Sequence, residues 1–239
     1  MTITYNVNRT KEAGLIKHAL QGYTISDEPD FWAVWGWNYG IEEIQQTGKP
    51  ILVFEPGFWG KKKAHHLPCD SWTVRWNGIG NGGFYPTPAW DAEIPYDIIE
   101  PTGENLGFFQ QVPKDGALRG NVVAPPRDAI IKPHPTLIPW GGVAARRKVT
   151  VKNFALARKI NRFEAYSSRA LIDAALLGLQ IKAYDPRAAI TENTEDQLRF
   201  LAQTQFSYDR LPFGTEYAVK HGLEKAKELA GNGIYDEVL

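Results

Sequence analysis

Three short polar stretches carry the side chains best suited to chemistry. Lys132-Pro133-His134-Pro135 follows the apolar run AII at 129–131. Each proline fixes its own φ and pushes the residue before it toward an extended backbone, so His134 is held in place at little entropic cost. A preplaced imidazole beside the Lys132 ammonium suits an anionic ligand; read as packing, the same tetrapeptide is a rigid turn with a hydrogen-bonded histidine. Ser167 and Ser168 open AYSSRALIDAALLGL (165–179), in which Leu171, Ala174 and Ala175 share a helical face. A serine is the expected N-cap, and the free amides of a helix start, joined by two hydroxyls, can meet a phosphate. Gln111-Val112-Pro113-Lys114-Asp115-Gly116, after NLGFFQ (105–110), is a third stiff polar loop. Ligands of open α/β sheets sit off the carboxyl ends of strands, so three such loops can converge on one ligand.

Holding a leaving phosphate is half of a group transfer. The other half is a base that takes the proton from an acceptor hydroxyl. Glu55 is the first candidate, because it ends ILVFE (51–55) and the Pro56-Gly57 turn would aim it into a cleft between lobes; as structure alone it would cap a neighbouring loop. Asp70 is the second, with His65 and His66 behind it. The run KKKAHH (61–66), followed by Trp72, Arg75, Trp76 and Asn77, is basic and then aromatic. Lys62, Trp72, Arg75 and Trp76 are therefore candidate acceptor contacts, suited to a phosphate backbone with stacked bases or to a sugar face. A solvated lysine run accounts for KKK without any partner. Adjacent histidines on an extended chain point to opposite faces, and no carboxylate joins them at ligand spacing, so no protein-only metal site is expected. GIGNGG (78–83) is followed by FYPTP and opens no helix, so it is expected as a mobile loop or lid rather than a dinucleotide fingerprint.

The order Q-V-P-x-D, then a strand ending in H-P, then S-S before an A-A-L-L-G helix resembles the carboxy-terminal, donor-binding half of GT-B type glycosyltransferases. It is most similar to phage-encoded glycosyltransferases, and more distantly to capsule-polysaccharide (Kdo) transferases and bacterial sialyltransferases with HP and S-S/T motifs. The resemblance covers roughly residues 105–220, including LAQTQFSYDRLPFGTEYA (201–218). It implies an α/β, GT-B-like fold of two Rossmann-like lobes with a cleft between them, the first trimmed to fit a short chain. It also implies that His134, Ser167 and Ser168 hold the donor phosphate, that Lys132 adds charge, and that Gln111 and Asp115 lie at the mouth of the donor site. The implied co-substrate is a nucleotide sugar, a CMP- or UDP-sugar, with no tightly bound cofactor and Mg only as an ion carried on a diphosphate donor. In a phage setting the implied acceptor is a hydroxymethylpyrimidine in DNA. A surface polysaccharide or small glycan is the alternative acceptor, and a non-catalytic nucleotide-binding or sensor protein of the same fold is the alternative function.

The elements that must position these residues are legible as short apolar runs at 31–37, 50–55, 105–110, 129–132 and 179–185, the pattern of buried strands. Helical spacing is found at 10–20, 41–46, 168–177, 193–203 and 215–230. In the last helix Val219, Leu223, Ala226 and Leu229 form an apolar stripe. Residues 56–104 are rich in glycine, proline and tryptophan with little periodicity, which places the boundary between an acceptor-side lobe, 1–103, and a donor-binding lobe with closing helices, 104–239. With 43% hydrophobic residues the chain can bury a core. Twenty-seven basic residues balance 27 acidic ones, so attraction to a polyanion would have to be local. A single cysteine, Cys69, excludes an internal disulfide and paired-thiolate metal sites, and points to a reducing compartment. The polar amino terminus lacks a signal-peptide run and no stretch of about 18 apolar residues occurs, so a cytoplasmic protein without a membrane partner is expected.

Overall fold

A run such as ILVF is apolar on both faces of a strand and is satisfied only inside a sheet covered on both sides. In the computed structural model these residues lie in the interior of a mixed sheet, between a parallel and an antiparallel neighbour. The structure describes residues 3–7, 13–37, 40–57, 71–100, 103–111, 121, 123–134 and 150–237. In chain order the elements are β1 (Thr4–Val7), α1 (Ala13–Ala19), β2 (Thr24–Ile25), β3 (Phe31–Trp35), α2 (Ile41–Gln45), β4 (Ile51–Pro56) and β5 (Trp72–Trp76). Then come β6 (Asn105–Phe109), β7 (Ile130–Lys132), α3 (Val151–Arg158), β8 (Ile160–Ala165), α4 (Ala170–Leu176) and β9 (Gln180–Ala183). The chain ends in α5 (Glu195–Gln203), β10 (Gln205–Phe206) and α6 (Leu211–Gly231). They fall into two units, residues 1–91 with 200–239, and residues 92–199.

The division differs from the one expected at residue 103. The closing helix α6 does not join the second unit but packs on β5 of the first. Its stripe of small residues explains why. A Cβ on Gly222 would lie 2.6 Å from the Trp76 indole nitrogen, and one on Gly214 would lie 2.4 Å from the Phe206 ring, so these glycines let the aromatics sit flush against the helix. Trp76 Nε1 then donates to the Ala218 carbonyl at 2.9 Å, and Tyr85 Oη to the Gly214 carbonyl at 2.7 Å.

In the first unit the strand order is β10-β5-β4-β3-β1-β2. β1 to β4 run parallel; β5 is antiparallel to β4, and β10 to β5. Six strands among the described residues make this sheet the larger of the two, so the shortness of the chain is not felt in the first sheet. One face, carrying Leu52, Phe54, Trp72, Val74 and Trp76, is sealed by residues of α1 and α6. The other packs Val34, Ile51 and Val53 against Ile41 and Ile44 of α2.

GIGNGG is not a lid. It forms a tight turn that ends in an isolated bridge from Phe84 to Trp76. Asn77, at φ 55°, accepts from Ile51 N, donates to the Ala226 carbonyl and accepts from Asp236 N, tying β4, α6 and the chain end together. A Cβ on Gly78 would lie 2.3 Å from the Gly82 carbonyl oxygen and 2.8 Å from the Asp236 backbone. Neither neighbour is the end of a flexible side chain. Gly78→Ala is therefore expected to destabilise the protein by about 1–3 kcal/mol in urea unfolding, whereas a mobile lid would tolerate it.

The second unit is an all-parallel sheet in the order β7-β6-β8-β9. Phe109 and Phe163 stack at 4.3 Å between centroids, and Gly107 leaves the space that the Phe163 ring fills. Thr150 caps α3 by accepting from Asn153 N at 3.1 Å, and Lys159 ends it at φ 52°. Gly178, at φ 78°, ends α4. The strand β8, INRFEA, is charged on one face, where buried Glu164 accepts from Arg162 and from the Tyr184 hydroxyl. Among the described residues no helix is long and apolar enough to cross a membrane.

Candidate functional site

The order of the second sheet determines where a ligand belongs. From β6 the chain passes to β7 on one side, and from β8 through α4 it passes to β9 on the other. Between β6 and β8 the connections diverge, and a crevice opens off the carboxyl ends of the strands at such a switch point. The residues that follow β6 and β8 are Gln110-Gln111 and Tyr166-Ser167-Ser168.

These two loops meet. The Gln111 side-chain amide brackets the Ser167 backbone, its Oε1 accepting from Ser167 N at 2.8 Å and its Nε2 donating to Ser167 O. The bracket continues the parallel ladder beyond its last strand pair, Phe108 with Glu164, using a side chain in place of backbone. It leaves the Ser167 hydroxyl unused. Gln111 is thus a holder of the serine turn, and its amide is not turned outward as a ligand contact at the mouth of a donor site would be. Gln111→Ala removes both bonds and orphans a part-buried N–H. Urea unfolding should register a loss of about 1–3 kcal/mol, with Gln111→Glu intermediate because it keeps the acceptor and loses the donor.

Ser168 caps α4. Its Oγ accepts from Ala170 N at 3.3 Å and its carbonyl from Leu171 N at 3.0 Å, while its O–H proton is left to donate elsewhere. β7 flanks β6, and Gln110 N donates to the Lys132 carbonyl at 3.1 Å, so the half-buried His134 leaves the sheet at the same carboxyl edge as the other two loops. The sheet thus brings Gln111, His134, Ser167 and Ser168 to one edge.

Lys132 is directed differently. It shares the helix-covered face with its register partner Phe109, and its ammonium lies 6.0 Å from the centroid of the Phe154 ring. Burial pushes the ammonium down and Asp173 of α4 pulls it back up. Asp173 is exposed as a residue, yet the protein around its carboxyl pushes it up, against the pull of Arg169 and then of Lys132. Lys132 is therefore within the field of a carboxylate that the sequence reading passed over. Its signal was there: Arg169 and Asp173 stand four apart at the start of a helix. Asn121 was also passed over; its Nδ2 donates to the Tyr166 hydroxyl at 2.6 Å, at the end of β8.

In the first unit Glu55 lies one residue before the end of β4, opposite Thr73, and is half-buried. Trp72 and Trp76 are core residues, 1% and 0% exposed, whose indoles cannot stack on a base or a sugar, and Arg75 is 2% exposed. The acceptor surface expected from these three is therefore withdrawn: the alternation of β5 turns the indoles into the core. Lys62, Asp70, Asp115 and the pair His65-His66 lie outside the described residues. Among the described residues no group of three or more His, Cys, Asp or Glu comes together.

No protein-family model matches the sequence, and no curated protein matches it. Solved structures do match. The beta Kdo 2,7 transferase of Thermosulfurimonas dismutans KpsC aligns with a TM-score of 0.53 at 12% identity, covering 89% of this chain and 98% of that one. The beta Kdo 2,4 transferase of the same protein aligns with a TM-score of 0.51 at 14% identity, covering 90% and 98%. Likeness at such identity is likeness of fold: the chain has a GT-B-like α/β fold, with a mixed, mostly parallel sheet in the first unit and an all-parallel sheet in the second.

Proposed function

We propose that the protein is a glycosyltransferase that moves a sugar from a nucleotide-sugar donor to a hydroxyl acceptor. The observation that carries the reading is the β6/β8 switch point, where the bracket between Gln111 and Ser167 joins two loops beside His134 on a fold shared with Kdo transferases. His134 and the hydroxyls of Ser167 and Ser168 hold the donor phosphate, and Lys132, within the field of Asp173, adds charge. As the acceptor oxygen bonds to the anomeric carbon, the bond from that carbon to the phosphate breaks and the nucleotide leaves with the electron pair. Imidazolium and hydroxyl donors aimed at that leaving group stabilise it. Glu55 takes the acceptor proton.

CMP-sugars are the favoured donors, because the similar structures are Kdo transferases and the serine and HP motifs resemble those of transferases that take CMP-sugars. The burial of Trp72 and Trp76 takes the stacking residues away from a base and from a sugar alike, so a glycan hydroxyl and a hydroxymethylpyrimidine in DNA both stand as acceptors. Thermal shift against CMP-, UDP- and GDP-sugars tests the donor site: one donor should raise the midpoint and His134→Ala should abolish the rise. No shift with any nucleotide would sink both transfer and a sensor role. A shift without sugar transfer to glycans or to hydroxymethylpyrimidine DNA would favour the sensor.

A further inference from the structure

The alternation of β5 sets an unusual problem. Ser71, Thr73 and Arg75 point to one face, and Trp72, Val74 and Trp76 to the other. A strand so patterned ordinarily turns its polar side chains to water, yet Thr73 is 1% exposed and Arg75 2%. Register places Glu55 opposite Thr73 and Val53 opposite Arg75, so Glu55 and Arg75 are diagonal neighbours on one face, a spacing that long side chains span. On the far side of β5, Gln205 of β10 lies opposite Thr73, and Ser71 Oγ donates to its Oε1 at 3.4 Å. The sheet thus carries a buried polar island whose outer member, at the carboxyl end of β4, is Glu55.

Within this island Arg75 is poorly served. Its Nε and Nη2 have no hydrogen-bond partner, nor has Thr73 Oγ1, and the guanidinium lies over the Phe200 ring at 5.3 Å from its centroid. Burial pushes the guanidinium down to about 10, and Glu55 is the charge that pulls it back. An apolar side chain of the same volume would avoid the cost of burying this cation. Both unpartnered nitrogens are closed off from solvent, which argues against direct contact with a ligand. The remaining target is Glu55. Of the elements packed on this face among the described residues, α2 keeps Glu42 and Glu43 exposed, β10 presents the neutral Gln205, and α5 presents Phe200.

We propose that Arg75 is a positioning residue for Glu55: acting across the diagonal of the sheet without a direct ion pair, the buried guanidinium keeps the Glu55 carboxylate ionised at the carboxyl end of β4, where it acts as the base. The catalytic part of this inference rests on the glycosyl-transfer reading. The carboxylate takes the hydroxyl proton as the acceptor oxygen bonds to the anomeric carbon, and yields it to water after the nucleotide has left with its electron pair.

Carboxyl 13C labelling of glutamate in the full chain follows the titration of Glu55, its signal assigned by its loss in Glu55→Gln. In Arg75→Met the Glu55 midpoint should rise by at least about one pH unit, as expected on removing a nearby opposite charge, and Arg75→Lys should recover most of that rise. Replacing a buried cation by an apolar side chain of similar volume is well tolerated, so Arg75→Met should stay folded. The acid limb of its kcat–pH profile should move up by the same amount, so that kcat falls about tenfold at pH values below both midpoints and stays near wild type at neutral pH, and donor KM should not change. An unchanged Glu55 titration overturns the proposal whether or not the protein transfers sugar, and so does an unshifted acid limb of the kcat–pH profile in Arg75→Met. A raised titration in a protein that transfers no sugar supports the coupling and places the failure in the glycosyl-transfer reading.

Discussion

Glu55→Gln is expected to lower the kcat of sugar transfer by about 10²–10⁴-fold, the usual contribution of a positioned general base, while leaving donor binding in place. The amide keeps the size of the side chain and its hydrogen-bonding reach but cannot take a proton. Glu55 stands on β4 of the first unit, and the loops assigned to the donor phosphate belong to the second, so the two effects separate cleanly. Initial rates at saturating donor read the first, and the donor-induced thermal shift reads the second. The substitution also takes the counter-charge from buried Arg75, so the unliganded protein should melt earlier than wild type. Rates are therefore to be compared well below that transition. A variant with normal kcat would remove Glu55 from the mechanism and return it to the role of a loop cap.

The largest effect on stability is expected from Phe163→Ala, at about 3–5 kcal/mol. Phe163 is fully buried on β8, stacked on Phe109, tilted against Phe154 and seated over Gly107. Gly107 has no side chain to collapse into the vacated space, so the cavity stays open and the cost lies toward the upper end. β8 and β6 are the two strands that carry Ser167 and Gln111 to the switch point. Loss of their packing should release the bracket between them, and hydrogen exchange at the Ser167 amide should quicken together with the drop in the unfolding midpoint. Destabilisation below about 1 kcal/mol, small beside the usual cost of a buried Phe→Ala change, would mean that this stack does not set the register of the loops.

The fold was legible where apolar runs were unbroken. ILVFE, NLGFF and AIIK read directly as strands, and the stripe of Val219, Leu223 and Ala226 as a packing helix. Five strands escaped, β1, β2, β5, β8 and β10; β5 and β8 did so because polar side chains among them, Thr73, Arg75 and Glu164, are buried rather than exposed. WTVRW was absorbed into a glycine- and tryptophan-rich segment, and INRFEA was hidden by Arg162 and Glu164, which pair with each other on the sheet face. The same alternation misled the site reading, since Trp72 and Trp76 were read as exposed platforms and are the apolar face of β5. Local spacing cannot tell which side of a strand faces a helix. The glycines of α6 held that information, because small residues at 214, 218 and 222 announce close packing against large rings.

At the candidate site, the three loops were legible because prolines, serines and strand ends are local signals. Their functions inside the cluster were not. The Gln111 amide is spent on the Ser167 backbone, 56 positions away, and the charge of Asp173, 41 positions away, acts on Lys132, relations that no spacing rule foresees. GIGNGG shows the converse: its glycines suggested mobility, but close approach to the Asp236 backbone is what requires them.

A crystal structure of the full chain with a CMP-sugar, or whichever nucleotide sugar gives the largest thermal shift, tests the central claim most directly. The account predicts the sugar-bearing phosphate at the β6/β8 switch point, within hydrogen-bonding distance of His134 and of the Ser167 or Ser168 hydroxyl. A nucleotide bound elsewhere, with that crevice empty, would contradict it.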